Sequence, residues 1–360
     1  MRARIAGAGH AVPGRASQEE LWDTFFKGYY KNNRLARTVF KRAGVETRHG
    51  VVNPREEDIT GLSTAERMTR YREDALPLAA DAISECLKDA GIPAAEVSYL
   101  TVATCTGYVA PGIDVLVAQE LGMPSNLQRV QVGHMGCYAA LPALAVASDA
   151  VVARGQTAVV LCLELTSLHV QPSEEPIDRE QLVCHSLFGD AAAAVALTPS
   201  EAGEKPLPAP VGLEVLEVAA QTYTEGLSYM SWDVTDLGFK MGLSSEIPGA
   251  IGEHVAGMVG GLLARHGYSV EEVAGWAIHP GGPEIIDVVA EHLGLQEEAV
   301  AASRRVLRDY GNCSSATVLL ILGQMLSREE LPEGAPAVAI AFGPGLTIYA
   351  ALLRASGSPS

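Results

Sequence analysis

Apolar runs of strand length recur along the chain, at 98–104 (SYLTVAT), 157–163 (TAVVLCL), 191–197 (AAAAVAL) and 336–342 (PAVAIAF). Their apolar positions are consecutive rather than alternating, the pattern of strands buried on both faces. Between them, 76–91, 138–154, 249–266, 284–293 and 315–327 carry helical spacing. Strands and helices in alternation predict an α/β architecture. The stretch 199–210 (PSEAGEKPLPAP) reads as a connector that divides the chain into 1–200 and 211–360. No short period repeats along the chain, which excludes a solenoid.

Composition narrows the class. The chain has 360 residues, 48% hydrophobic and 19% charged, enough for two ordinary domains with buried cores. A net charge of −17 argues against nucleic acid or an anionic membrane as a main partner. The first twenty residues hold no continuous apolar core, so a cytoplasmic location is expected. Six cysteines, at 86, 105, 137, 162, 184 and 313, are scattered without a CxxC pair. They are expected to be reduced thiols, and no metal site is predicted.

Three positions stand out for chemistry. In RVQVGHMGCYAALPALAV, a short strand at 129–132 and a Gly turn place Cys137 at the start of an Ala-rich helix. Pro142 fits the first turn of a helix that begins near 138. A helix start favours a thiolate, although a cysteine in an apolar segment also serves as a small buried hydrophobe. His279 ends the run VAGWAI before Pro-Gly-Gly-Pro, at the mouth of a strand, where its ring either handles protons or bonds a neighbouring carbonyl. His134 is closer to Cys137 in sequence, but leaves the same tight turn in a different direction. Asn312, in DYGNCSSATVLLIL, precedes an amphipathic helix and either donates to an oxyanion or caps that helix in competition with Ser314 and Ser315.

Cys137, His279 and Asn312, in this order and these settings, resemble the type III polyketide synthases of the chalcone and stilbene synthase-like family. LFGDAAAAV at 187–195, HPGGPEII, YGNCSSATVLLIL and FGPGLT at 342–347 are similar to its signature segments. Related condensing enzymes fit less well. Ketoacyl synthase III enzymes set their histidine in His-Gln-Ala-Asn, and thiolases use a second cysteine near the C-terminus. Hydroxymethylglutaryl-CoA synthases need a further glutamate.

The resemblance implies a thiolase-type five-layer αβαβα fold with two related halves, assembled as a homodimer. The 1–200 half would carry the Cys nucleophile and the 211–360 half the His and Asn. It implies an acyl-CoA starter carried on Cys137 and extended by decarboxylating malonyl-CoA, with CoA thioesters as substrates and no cofactor. A His279 imidazolium would pair with the Cys137 thiolate, and His279 and Asn312 would donate to the enolate. By position Phe188 and Phe239 match the family's two gatekeepers. Cys105, Thr106, His169 and Met230 fall at pocket positions, together with Phe342 and Gly343 of FGPGLT. Lys41, Arg42 and Arg48 lie where CoA contacts are expected, with Arg308 and Arg305 as weaker candidates.

The chain also departs from the plant enzymes. Ala341 precedes Phe342, Ala191 follows Gly189-Asp190, and Cys105, Thr106, Ala110, His169 and Met230 do not reproduce the chalcone-forming set. An alkylpyrone or a resorcinol-type phenol is therefore expected over a flavonoid precursor, with an aliphatic starter favoured by small residues such as Ala110. The alternatives are a ketoacyl synthase III-like enzyme performing one condensation and a non-catalytic acyl-CoA-binding homologue.

Overall fold

The computed structural model describes residues 1–172, 176–200, 212–327 and 331–356. The 199–210 connector lies outside the described residues from 201 onward. Strands in chain order are β1 (Arg2–Ala11), β2 (Gly14–Ser17), β3 (Thr47–Gly50), β4 (Tyr99–Thr104), β5 (Gln128–Gly133), β6 (Ala158–Glu164) and β7 (Ala191–Ser200). In the second half come β8 (Gly212–Thr222), β9 (Met230–Thr235), β10 (Gly238–Leu243), β11 (Gly275–Ile278), β12 (Pro336–Gly343) and β13 (Thr347–Ser356). The four apolar runs singled out above are β4, β6, β7 and β12.

Nine strands hydrogen-bond in the order β11-β12-β13-β8-β1-β7-β6-β4-β5. The order reads as one unit used twice. β4 runs parallel to β6, β6 antiparallel to β7 and β7 antiparallel to β1. β11, β12, β13 and β8 repeat those three relations. The two units meet where Ala3–Ile5 of β1 pairs with Leu213–Val215 of β8.

Side-chain alternation along these strands sorts the core into layers. Val102, Leu161 and Ala194 face the long helix Thr64–Ala90 and the helix Ile113–Glu120. On the other unit, Val338, Ile340 and Leu352 face Ile247–Arg265 and Pro283–Leu293. The opposite faces, including Ala103, Val160, Val195, Ala339 and Leu353, share one cluster with Ala140–Arg154 and Ala316–Ser327. These two helices form the central layer of helix, sheet, helix, sheet, helix, the thiolase-type architecture. The faces of these helices that lie between the sheets meet no solvent, which explains why Leu141, Leu144, Val318, Ile321 and Leu322 are all fully buried and why alanine crowds these faces.

Local signals set the element ends. Ser63 and Glu66 form a capping box at the start of Thr64–Ala90, and Gly91 ends it at φ 67°. Pro283 opens Pro283–Leu293 and Gly294 closes it in the same left-handed conformation. The helix after Cys137 begins at Ala140, two residues later than expected, because Gly136–Tyr138 forms a tighter 3₁₀ turn first. Gly136–Arg154 and Ile247–Arg265 are each apolar and long enough to cross a membrane. Here the first fills the central layer and the second packs on Pro283–Leu293.

Candidate active site

Each of the three predicted residues leaves a buried element at the centre of the layers. Cys137 sits on the 3₁₀ turn between β5 and the central helix Ala140–Arg154. The turn is held from the other unit. A Cβ on Gly136, which has φ +75°, would lie 2.7 Å from Pro344 Cδ, and one on Gly343 would lie 2.5 Å from the Tyr138 ring. FGPGLT therefore packs its backbone directly on the nucleophile turn, and Gly343 acts there by having no side chain. Phe342 belongs to the outer apolar cluster and is not part of the lining of the cavity described below.

His279 follows β11 directly. Its backbone N–H donates to Ile340 O (2.8 Å), which fixes the residue to the neighbouring β12. Only 1% of the residue is exposed, and neither ring nitrogen has a hydrogen-bond partner. The ring is thus not held by a neighbouring carbonyl. His134 is exposed at φ 59° and takes no part in the buried site.

Asn312 lies between Glu297–Tyr310 and the second central helix. The Ser314 N–H donates to its Oδ1 (2.8 Å), which turns the amide NH₂ the other way, toward Gly281 O (3.4 Å) and the Cys137 sulfur. The amide's acceptor end is occupied and its donor end faces Cys137, the orientation an oxyanion donor needs.

Burial governs the charge state. It pushes the Cys137 thiol up to about 12, against hydrogen bonds from Ser314 and Asn312 that favour the thiolate. The nearby carboxyl of Glu164 adds to the rise. Burial alone pulls His279 down to about 3. Burial therefore favours the neutral form of each group over the expected thiolate–imidazolium pair: the His279 ring makes no hydrogen bond to the sulfur, and the donors beside the thiol, Ser314 and Asn312, offset only part of the desolvation.

Glu164, not anticipated from the sequence, is wholly buried beside Cys105 and Thr106. It accepts from the Cys105 N–H (3.1 Å), Thr106 Oγ1 (2.9 Å) and the Ser315 hydroxyl, and burial raises its carboxyl. Cys105 Sγ also lies 3.6 Å from Ser314 Oγ. The expected pocket residues Cys105 and Thr106 are thus joined to the nucleophile through Ser314 and Glu164. The only sequence signal for Glu164 was a charged residue closing the apolar run TAVVLCLE.

A cavity of about 290 Å³ approaches the triad, lined by Phe188, Phe239, His169, Trp232 and Arg48 among others. Cys137, His279 and Asn312 do not line it. Phe188, however, is bridged by its backbone to Asn312, so the cavity wall and the triad share a boundary. Phe239 stacks on His169, with centroids 4.5 Å apart and planes at 10°. The Phe239 N–H donates to His169 Nδ1 (3.0 Å), so His169 Nε2–H donates to Thr106 O (2.7 Å). Burial holds this ring neutral, down to about 4. Met230 is buried in the outer cluster and does not line the cavity.

The expected CoA cations divide. Lys41 and Arg42 are exposed at the end of the helix Arg34–Arg42, and Arg308 is exposed but paired with Asp309 (2.8 Å). Arg305 also lies outside the cavity lining. Arg48 differs from these: it is 6% exposed, lines the cavity, donates to Phe188 O (2.8 Å) and lies over the rings of Phe26 and Phe40, because β3 turns it inward. It thus braces the cavity wall from within.

Comparison with known proteins fits this architecture. The chalcone and stilbene synthase N-terminal domain model matches residues 2–200, and the corresponding C-terminal domain model matches 215–356. The chain is 36% identical over 319 residues to an alpha-pyrone synthesis polyketide synthase-like protein of Mycobacterium tuberculosis, covering 86% of this chain and 79% of that one. It is 33% identical over 359 residues to 3,5-dihydroxyphenylacetyl-CoA synthase of Streptomyces toyocaensis, covering 98% and 90%. Among solved structures, 1,3,6,8-tetrahydroxynaphthalene synthase of Streptomyces coelicolor superposes with a TM-score of 0.90 at 25% identity, over 99% of this chain and 100% of that one.

Proposed function

Because the chain belongs to the chalcone and stilbene synthase family, the type III polyketide synthases, we propose that it extends an acyl-CoA starter with malonyl-CoA on Cys137 and releases an alkylpyrone or a phenol. The observation that carries the assignment of roles is the Asn312 amide, whose donor end is turned toward the Cys137 sulfur by the Ser314 N–H.

The neutral resting pair sets the order of proton movements. As the Cys137 sulfur attacks the starter thioester, its proton passes to His279, whose free ring nitrogen is available to take it. The departing CoA thiolate takes that proton, leaving acyl-Cys137 and neutral His279. Malonyl-CoA then binds, and the His279 N–H and the Asn312 NH₂ donate to its thioester oxygen. Loss of carbon dioxide places negative charge on that oxygen, where two fixed donors in a dry site stabilise it. The enolate carbon attacks the acyl-cysteine and expels the Cys137 thiolate, which takes up one proton from solvent by way of His279, replacing the proton that left with the first CoA. CoA thioesters supply all the reacting groups in this scheme, without metal or redox cofactor.

In this reading Phe188 and Phe239 divide the cavity from the triad, and Lys41 and Arg42 meet CoA phosphates. A cytoplasmic homodimer is the proposed assembly. Support for the dimer comes from β5, which among the described residues pairs only with β4, and from Tyr108, a large aromatic side chain 69% exposed. The test is incubation of the protein with malonyl-CoA and a panel of acyl-CoA starters beside Cys137→Ala, with products and free CoA read by mass spectrometry. Pyrones or phenols made by the wild type alone support the proposal. Products with one extension only replace it with a single-condensation enzyme.

A further inference from the structure

Cations are distributed unevenly over this acidic molecule. Between Thr24 and Val45 there is no aspartate or glutamate, while Lys27, Lys31, Arg34, Arg37, Lys41 and Arg42 all fall there. All six are exposed. Elsewhere several surface arginines take acidic partners, as Arg55 does with Glu20, Arg70 with Glu57, Arg265 with Glu217 and Arg304 with Asp287, while exposed Arg72 and Arg179 stand singly among nearby carboxylates in the sequence. Lys27, Arg34, Arg37, Lys41 and Arg42 have no acidic partner among the described residues. Arg34, Arg37 and Lys41 stand at i, i+3 and i+7 of the helix Arg34–Arg42 and so share one face. Arg34 opens that helix, where a cation opposes the dipole. Lys41 and Arg42, in the last turn, complement the dipole, so helix stability accounts for those two and not for Arg34. Leu35, half exposed, adds an apolar contact in the middle of the charge.

This surface is distinct from the cavity, since none of the six cations lines it, yet it adjoins the mouth. Leu21, Thr24 and Phe25 line the cavity, and Lys27 follows one helical turn later. A wide anionic membrane would meet the repulsion of a body at −17, whereas a small acidic protein touches the basic patch alone. We propose that this face docks a small acidic carrier protein that presents an acyl thioester to the cavity mouth, a second route by which the starter reaches Cys137. The proposal rests on the synthase reading for the fate of the acyl group, but not for the docking.

Two measurements on the full-length protein separate these. The first is binding of a bacterial fatty-acid acyl carrier protein, loaded with a decanoyl thioester, to Cys137→Ala, with and without Lys27→Glu, Arg34→Glu and Arg37→Glu together. The second is product formation by the Cys137 protein with the same carrier or with decanoyl-CoA. Expected are carrier binding that weakens at least ~10-fold on charge reversal and on raising salt from about 50 to 300 mM, and a carrier-driven rate that falls in parallel. The decanoyl-CoA rate should fall by a smaller factor than the carrier-driven rate on charge reversal, since Lys41 and Arg42, assigned to the CoA phosphates, are left in place. No carrier binding by the unreversed protein, binding indifferent to the reversal, or an equal fall of both rates would overturn it. Carrier binding that obeys the pattern without turnover from either donor would uphold the docking and reject the synthase reading instead.

Discussion

Phe188 and Asn312 are joined across the two halves by a short parallel bridge. The Asn312 N–H donates to Leu187 O (2.8 Å) and the Gly189 N–H to Asn312 O (3.0 Å). The aromatic wall of the cavity and the amide beside the nucleophile thus move as one piece of backbone. Gly311 makes the bridge possible, at φ 75° and ψ −164°, where a Cβ would lie 2.5 Å from Leu187 O. Gly311→Ala is expected to cost about 1–3 kcal/mol in backbone strain. Polyketide formation should fall further than the shift in urea midpoint explains. Wild-type turnover in a folded Gly311→Ala protein would show that the bridge does not position Asn312.

The Asn312 side chain has its own signature. Asn312→Ala removes one donor from the developing oxyanion, and extension should slow by about 10²–10³. Acylation of Cys137 by the starter needs no such donor and should persist. Intact-protein mass spectrometry with starter alone, followed by a malonyl-CoA chase, separates the two steps. An acyl-enzyme that extends at the normal rate contradicts the assignment.

Arg67 is fully buried, and its guanidinium donates to five backbone carbonyls: Leu62 (2.9 Å), Ile59 (2.8 Å), Thr60 (3.1 Å), Val170 (3.1 Å) and Leu168. One side chain thereby ties the 59–62 loop to the turn that carries His169. Arg67→Met leaves those carbonyls without a donor and should lower stability by about 3–5 kcal/mol, the usual size for breaking a buried polar network. Chemical denaturation measures it. A loss below about 1 kcal/mol would mean that water replaces the guanidinium without strain.

Burial holds His185 down to about 3, with Arg48 adding to the effect, while its Nδ1 meets the Tyr30 hydroxyl (2.7 Å). A depressed folded value means that the unfolded chain takes up the proton first. The stability due to the neutral ring is complete above about pH 6.5 and is lost as pH falls toward 3. Buried Glu164 and Asp190, both raised, act in the opposite sense, so the variant comparison is the clean one. The stability difference between wild type and His185→Gln should shift against the wild type by about 1.4 kcal/mol per pH unit below 6.5. A difference constant from pH 7.5 to 5 would show that the ring is hydrated.

Much of this was legible beforehand, for identifiable reasons. β4, β6, β7 and β12 are buried on both faces, so their unbroken apolar runs could not be mistaken for exposed segments. Cys137, His279 and Asn312 each sit beside a Gly or Pro turn that marks the end of an element. What the sequence hid depends on contacts distant in the chain. Arg48 reads as one more surface cation, and only the pairing of β3 with β2 turns it inward. Glu164 closes an apolar run, but the donors that make it tolerable come from 105–106 and 315. The preference of Cys137 and His279 for their neutral forms follows from burial between the layers, which no local motif encodes.

The repeated strand order has a further consequence. Cys137 precedes one central helix by three residues, and Asn312 precedes the other by four. Cys105 follows β4, and His279 follows β11, its counterpart. A unit copied without change would bring like groups together at this meeting point, two thiols or two amides with no division between attacker and proton carrier. Here the two units carry different residues at these corresponding places. Under the proposed mechanism one would supply the sulfur and the other the imidazole and the amide, so the division of roles lies where the repeat departs from symmetry.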